Sequence, residues 1–168
     1  WHHLCKEENP PVTEATLPEK ASIIGRTGLM LLSCGTGAWR VRSSMNTLAR
    51  TMGITCTADV GLVSIEYTCI DKTETFSQSL CLTTTGVNTA KLSELENFVL
   101  DFPAKHASKT SKHLHKFLDH IEQRPGHYTP PALGLASAVA CCAFTFLLGG
   151  GPLEMLCAFF GAGIGNWL

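Results

Sequence analysis

The pattern of apolar and polar positions predicts four amphipathic helices and a pair of strands before residue 128. Apolar residues recur every three or four positions, as on one face of a helix, in the segments 18–34, 38–52, 89–102 and 111–123. The second segment has the clearest stripe, formed by Ala38, Val41, Met45, Leu48, Ala49 and Met52. Glycine or proline follows each of the first three segments, as expected where a helix ends.

Between the second and third helices the apolar period changes to two, which indicates strands. In 57–69 every second residue near the end is apolar, namely Val63, Ile65, Tyr67 and Cys69. A second alternating run, 76–83, follows the polar segment 71–75. The two runs predict a β-hairpin or two neighbouring antiparallel strands, joined by a loop longer than a two-residue turn.

After residue 128 the chain becomes apolar, and Glu154 is the only charged residue of this part. The run 131–148 has no charge and no polar stripe, and a second apolar run, 153–168, follows a Gly-rich turn. Eighteen helical residues rise about 27 Å, close to the roughly 30 Å of a bilayer's hydrocarbon core. The sequence therefore predicts a transmembrane hairpin, and the alternative is a buried core helix of a soluble protein.

Charge and cysteine patterns bear on the compartment and the partners. The net charge is −1, so composition gives no indication of a nucleic-acid partner. Lys112, Lys116 and Arg124 precede the first apolar run, whereas the turn after it has neither Lys nor Arg. This bias predicts that the N-terminal part faces the cytoplasm. The eight cysteines show no CxxC spacing, so free thiols are favoured over a disulfide framework.

Together these patterns predict an α+β fold. A small cytoplasmic domain of amphipathic helices and an antiparallel strand pair is followed by an all-α transmembrane hairpin that is part of a larger helical bundle. The expected divisions are a flexible segment at 1–17, the cytoplasmic domain at 18–127, and two transmembrane helices at 128–168, the second of them truncated. We interpret the chain as a fragment or a processed chain.

Residues of the apolar tail are candidates for helix packing and for a substrate pathway. Small residues at helical spacing predict close packing in the membrane against further spans, and they are Ala136, Ala140, Gly161 and Gly165. Glu154 and Asn166 are the polar residues of the second run and candidates for the substrate pathway. The alternatives are a carboxylate at the N-terminus of a helix for Glu154 and an interhelical hydrogen bond for Asn166.

Polar residues of the N-terminal part are candidates for ligand or partner contacts. Arg40, Arg42 and Arg50 lie on the polar face of the second helix, where they can contact acidic lipid headgroups or a partner. Asn88 and Lys91 lie at the start of the third helix, where a carboxylate can bind. The alternatives are a solvated face for the arginines and a simple helix cap for Asn88.

Enzymatic and metal signatures are weak. A hydrolase could be assembled from Ser111, His113, His115 and Asp119, but the sequence has no Gly-x-Ser-x-Gly elbow. His115 and Asp119 are spaced i, i+4 and could supply two metal ligands, as could almost any helical His/Asp pair. We therefore expect a protein that is not an enzyme and that has no catalytic residues, no metal and no cofactor.

Three motifs, in this order, resemble the N-terminal part of the threonine/serine exporter family. They are Gly-Thr-Gly-Ala-Trp-Arg-Val at 35–41, Gly-Val-Asn-Thr-Ala-Lys-Leu at 86–92, and Phe-Leu-Leu-Gly-Gly at 146–150. The resemblance runs from about Ile23 to the C-terminus. Two positions depart from the family pattern: Arg42 stands where an acidic residue is common, and Glu154 stands where Asp is frequent.

This resemblance implies a cytoplasmic head and the first spans of a secondary exporter. The family combines a cytoplasmic α+β domain with a bundle of about five spans, and two such membrane units make the exporter. The implied cargo is threonine, serine or a small carboxylate, and the implied location is the inner (plasma) membrane, as a multi-pass protein. Implied partners are the lipid bilayer and the remaining spans or a second membrane subunit. Alternative functions are a membrane-anchored regulatory or assembly domain and a membrane-tethered hydrolase.

Overall fold

A computed structural model of the protein shows two compact units, which are residues 1–124 and 125–168. The residues that the structure describes are 1, 10–72, 74–83, 86, 88–124 and 129–165. Within them, the first unit contains four α-helices and a three-stranded sheet, and the second contains two α-helices. The α+β character predicted for the N-terminal part is therefore present.

The four predicted helices of the first unit are confirmed, each to within one or two residues at its ends. They are α1 (Leu17–Ser33), α2 (Ala38–Thr51), α3 (Thr89–Asp101) and α4 (Ser111–Glu122). A π-helical turn, Phe102–His106, follows α3 directly. Because Pro103 lacks an amide hydrogen, the regular α-helical ladder cannot continue through it, and the chain widens into this turn.

The sheet has one strand more than the sequence pattern predicted. Its strands are β1 (Thr55–Val60), β2 (Ser64–Asp71) and β3 (Glu74–Cys81), antiparallel and in the order β1-β2-β3. The single strand predicted at 57–69 is wrong, since a turn in which the Gly61 amide donates to the Ser64 carbonyl divides it. Val63 lies in that turn and is 56% exposed, so it does not share the buried face of β2.

The connection between β2 and β3 is also shorter than predicted. Asp71 pairs with Glu74, so two residues join the strands, and Lys72 has a φ of 49°. Positive φ at the first position of a two-residue turn matches the twist of the flanking strands. The prediction of a longer loop was wrong because lysine is not a residue that signals such a turn.

Helix α1 occupies the centre of the first unit. It packs against α2, α3, α4 and the sheet, so its residues are buried around most of its circumference. Ile23, Ile24 and Leu31 belong to the hydrophobic core, together with side chains from every other element of the unit. The polar residues of α1 are therefore buried too, and buried polar groups need hydrogen-bond partners.

The second unit is a helical hairpin of α5 (Pro130–Leu147) and α6 (Pro152–Gly165). Gly149 has a φ of 84°, a left-handed conformation that ends α5 and allows the chain to turn. The helices approach each other closely at Gly163, where an added Cβ would lie 3.2 Å from the Cβ of Ala138. Large apolar side chains cover the remaining surface, among them Phe144, Phe146, Leu148 and Leu153.

The transmembrane hairpin predicted from the sequence is wrong. Among the described residues, no helix is both long enough and apolar enough to cross a bilayer. The 18 residues of α5 and the 14 of α6 correspond to rises of about 27 Å and about 21 Å, below the roughly 30 Å of a hydrocarbon core. The apolar pattern identified the two helices of the hairpin, but the conclusion that they cross a bilayer was wrong.

Candidate functional site

A buried polar cluster joins α1 to α4, and Arg26 lies at its centre. Arg26 is 3% exposed, and its guanidinium donates to three oxygen atoms on α4. These are the His115 carbonyl oxygen at 3.1 Å, Asp119 Oδ1 at 2.6 Å and Glu122 Oε2 at 2.6 Å. A single cation on the central helix therefore contacts α4 at three positions, from His115 to Glu122.

His115 is fully buried in the same cluster, and its contacts define its protonation. Its Nδ1 lies 3.4 Å from Arg26 Nη1, and its Nε2 lies 2.9 Å from Ser22 Oγ. Because a guanidinium can only donate, Nδ1 accepts and Nε2 carries the proton. The Ser22 hydroxyl then accepts from Nε2 and donates its own proton to the Glu19 carbonyl at 2.7 Å.

This arrangement has the wrong polarity for a nucleophilic serine. A general base must accept the serine proton, whereas His115 donates to Ser22. Both side chains are also fully buried, so a substrate has no access to them. The Ser22 and His115 pair therefore acts as a structural link between α1 and α4.

The hydrolase set considered from the sequence is not assembled. Ser111 Oγ donates to Glu19 Oε1 at 3.1 Å instead of facing a histidine, His113 is exposed, and Asp119 is bound by Arg26. Sequence reasoning missed the Ser22 contact because α1 and α4 are 93 residues apart along the chain. The spacing of Ser22 and Arg26 by four residues in α1 was the available signal, because it places both side chains on one face of the helix.

The predicted ligand residues of the first unit lie around α3, and each has an intramolecular contact. Arg40 Nη1 pairs with Glu96 Oε1 at 2.9 Å, and Lys91 Nζ donates to the Glu122 carbonyl at 2.6 Å. The Asn88 side chain accepts from the Lys91 amide at 3.0 Å, which is the helix cap considered as its alternative. These contacts attach α3 to α2 and α4, and a ligand role for the three residues stays a prediction.

The predicted residues of the hairpin are distributed over its surface. The Glu154 carboxylate accepts a hydrogen bond from the Gly151 amide at the start of α6. This is the position at a helix N-terminus that was considered as its alternative, where the helix dipole favours a negative charge. Asn166 lies outside the described residues. The small residues predicted to pack in the membrane are exposed, namely Ala136, Ala140, Gly161 and Gly165, whereas Gly134 and Ala138 are buried in the hairpin.

His106 lies in the π-helical turn among three phenylalanines, beside a groove of about 200 Å³ between α3 and α4. Its ring centroid is 4.9 Å from Phe98, 6.1 Å from Phe102 and 5.3 Å from Phe117. Burial lowers the pKa of His106, and the nearby Asp101 carboxylate opposes this shift. Its Nδ1 is buried without a hydrogen-bond partner among the described residues.

An open groove of about 710 Å³ lies between α2 and the edge strand β1. Two arginines line it, Arg42 and Arg50, together with the indole of Trp39. Arg42 Nε donates to the Ala58 carbonyl at 3.0 Å, which fixes this side chain along the strand edge. In the part of the chain that the structure describes, no three His, Cys, Asp or Glu residues are grouped closely enough to hold a metal ion.

The comparison with protein families adds a finding that covers both units. The family model ThrE, described as "Putative threonine/serine exporter", matches residues 22–168. No curated protein and no solved structure matches the chain. The match begins within α1 and includes every later element, so the family assignment applies to the central helix, the sheet and the hairpin alike. The chain belongs to the threonine/serine exporter family.

Proposed function

We propose that the chain is part of a secondary exporter of threonine, serine or small carboxylates, with residues 1–124 as its cytoplasmic head. The observation that carries this proposal is the family match over residues 22–168. Membership of this family indicates a membrane transport protein with small-molecule cargo, and it favours a function other than catalysis.

The two units suit different surroundings within such an exporter. The first unit has a closed hydrophobic core and a polar surface, whereas the hairpin exposes large apolar side chains along both of its helices. Exposed apolar surface of this extent marks contact with lipid or with another apolar protein surface. The hairpin is therefore the part of the chain that contacts the bilayer or the membrane-embedded partner of the head.

The thiol groups support a location of the head in a reducing compartment. Seven of the cysteines are free in the described residues. Cys56 and Cys69 lie directly opposite each other on β1 and β2, and both are buried free thiols. Thiols so placed persist in the cytoplasm, whereas an oxidising compartment favours disulfides.

Transport by the full-length protein in lipid vesicles tests this function. Vesicles loaded with radiolabelled threonine are followed for efflux with and without an ion gradient, and protein-free vesicles serve as the control. We expect faster loss of label from the protein-containing vesicles, and competition by unlabelled serine. If threonine, serine and small carboxylates all fail to leave faster than from the control, the proposal is wrong.

Glu154 is the residue of the hairpin that we propose to contact cargo. Its replacement by glutamine keeps an oxygen that can accept from the Gly151 amide but removes the negative charge. Lower efflux with unchanged helix content supports a role of the charge in transport. Unchanged efflux would show that this side chain acts only as the cap of α6.

A further inference from the structure

The groove between α2 and β1 is lined by the two arginines that make no ion pair with a described residue. The protein has five arginines, and three of them pair with carboxylates: Arg26, Arg40 and Arg124. Arg42 and Arg50 make no ion pair with any described residue, and both line this groove. All other lining residues are neutral, so the groove has an uncompensated positive charge.

The lining residues form a continuous strip of hydrogen-bond donors along one side of α2. Arg42, Asn46 and Arg50 follow one another at intervals of four residues, so they lie along the same side of the helix. The two arginines are about 12 Å apart along the helix axis. Ser43 and Thr55 add hydroxyl groups between them.

From this arrangement we infer that the groove binds a phosphate-bearing ligand. A guanidinium presents parallel N–H donors that match the oxygens of a phosphate, and two such groups match a ligand that carries more than one negative charge. Arg42 is already held by its bond to the Ala58 carbonyl, so it loses little conformational freedom on binding. The Trp39 side chain, 70% exposed at the groove, offers an apolar face for the rest of the ligand.

The phosphate has two possible sources, the headgroup of an anionic phospholipid or a soluble phosphate compound. Inorganic pyrophosphate is the probe for the soluble source. Uncharged detergent micelles that contain phosphatidylglycerol, compared with micelles that contain phosphatidylcholine, are the probe for the lipid source. Binding to either probe requires the same arginines, and comparison of the two experiments shows whether the phosphate comes from a lipid or from a soluble compound.

The Arg50→Gln variant of the whole chain tests the site, and Arg40→Gln is its matched control. Both variants remove one positive charge from α2, but Arg40 lies outside the groove and pairs with Glu96. Because Arg50 is exposed and makes no ion pair with a described residue, its loss should leave the unfolding midpoint unchanged. We expect Arg50→Gln to weaken binding of at least one probe at least tenfold, and Arg40→Gln to weaken it less than twofold.

Added salt should weaken binding to the wild type and should affect Arg50→Gln less, because one charge contact is gone. Binding of pyrophosphate alone, of phosphatidylglycerol alone, or of both supports the inference and identifies the source. The inference is wrong if the wild type binds neither probe more tightly than the phosphatidylcholine control. It is equally wrong if Arg50→Gln and Arg40→Gln reduce binding to the same extent.

Discussion

Gly25 lies against the side chain of Tyr67, a residue of the sheet. A Cβ at this position would lie 2.5 Å from Cζ and 2.7 Å from Cε1 of Tyr67. The Tyr67 hydroxyl is 3.0 Å from the Ala21 carbonyl oxygen and 2.9 Å from Gln78 Oε1. A glycine inside a helix costs stability, and here it makes room for a buried aromatic ring.

The Gly25→Ala variant should therefore be less stable than the wild type, although alanine is the better helix former. We expect the free energy of unfolding to fall by about 1–3 kcal/mol, because the Tyr67 ring has to move out of its hydrogen bonds. Urea unfolding followed by circular dichroism measures the change. The control is Gly86→Ala, where an added Cβ meets nothing within 4 Å. Equal midpoints for the two variants would contradict the close packing of α1 on β2.

His106 should make the stability of the protein depend on pH. Burial lowers its pKa below the ordinary 6.5, so the unfolded chain binds a proton first as the pH falls. The free energy of unfolding should therefore decrease as the pH falls from about 7 through 6.5, until the folded protein is protonated as well. Asp101 reduces this effect, whereas His113 and Lys105 add to it.

The His106→Phe variant should lose this part of the pH dependence. Phenylalanine cannot be protonated, and it also removes the buried nitrogen that has no partner among the described residues. Urea midpoints at about pH 7 and pH 5 should differ less for this variant than for the wild type. His120→Gln, at an exposed histidine of α4 that does not contribute to the shift of His106, is the control. If the urea midpoint of His106→Phe depends on pH as strongly as that of the wild type, groups other than His106 cause the pH dependence.

Residue roles were predictable from the sequence where they depend on local spacing. The capping role of Asn88 could be predicted from its position just before α3, where its side chain accepts a hydrogen bond from the Lys91 amide. The link between Ser22 and His115 depends on which face of α1 meets α4, and that is decided by packing across 93 residues of chain. Single positions therefore indicated the ends of elements but not the contacts between them.

At the scale of elements, Arg26 supplies the charged contacts that attach α4 to the central helix. Replacing Arg26 with glutamine removes its charged hydrogen bonds to Asp119, Glu122 and the buried His115 carbonyl. We expect the free energy of unfolding to fall by about 2–4 kcal/mol, reduced from a fully buried case because Glu122 is partly exposed. Thermal unfolding compared with that of the wild type measures this loss.

The control for Arg26→Gln is Arg40→Gln, which breaks the solvent-exposed pair with Glu96. Exposed ion pairs contribute about 0–1 kcal/mol, so this variant should stay close to the wild type. A small effect of Arg26→Gln, within the range of the control, would mean that apolar packing and the bonds of Ser22 and Glu19 are sufficient to hold α4 on α1.

Helices were predicted more accurately than strands, for a physical reason. The stripes of α2 and α4 extend over three or more turns, and proline or glycine follows most of the helices, so their ends are well defined. The alternating run at 57–69 conceals the turn at Gly61, because Val63 continues the apolar period while lying outside the sheet. Strand register depends on pairing partners elsewhere in the chain, and the apolar pattern of one strand does not identify those partners.

At the scale of the whole molecule, the apolar hairpin differs from the first unit in what covers its surface. Its exposed residues include Phe146 and Leu148, which are 65% and 86% accessible. The sequence showed that this part is apolar on all sides. It also predicted the end of α5 to within one residue, because the Gly-rich turn contains Gly149, whose left-handed conformation ends the helix. The apolar run 131–148 thus matched α5 closely, whereas the prediction that the hairpin crosses a bilayer was wrong.

The exposed apolar surface of the hairpin should bind hydrophobic probes. Replacing Phe146 and Leu148 together with serine removes two large side chains without opening a cavity, since neither is packed in a core. We expect the double variant to bind less of an apolar fluorescent dye and to need less detergent to stay monodisperse, with an unfolding midpoint near that of the wild type. Leu62→Ser, at a residue of the first unit that is 93% exposed, is the control and should change dye binding little. Equal dye binding by the wild type and the double variant would mean that this end of the hairpin is covered in solution, and that the apolar contact surface proposed for the exporter lies elsewhere.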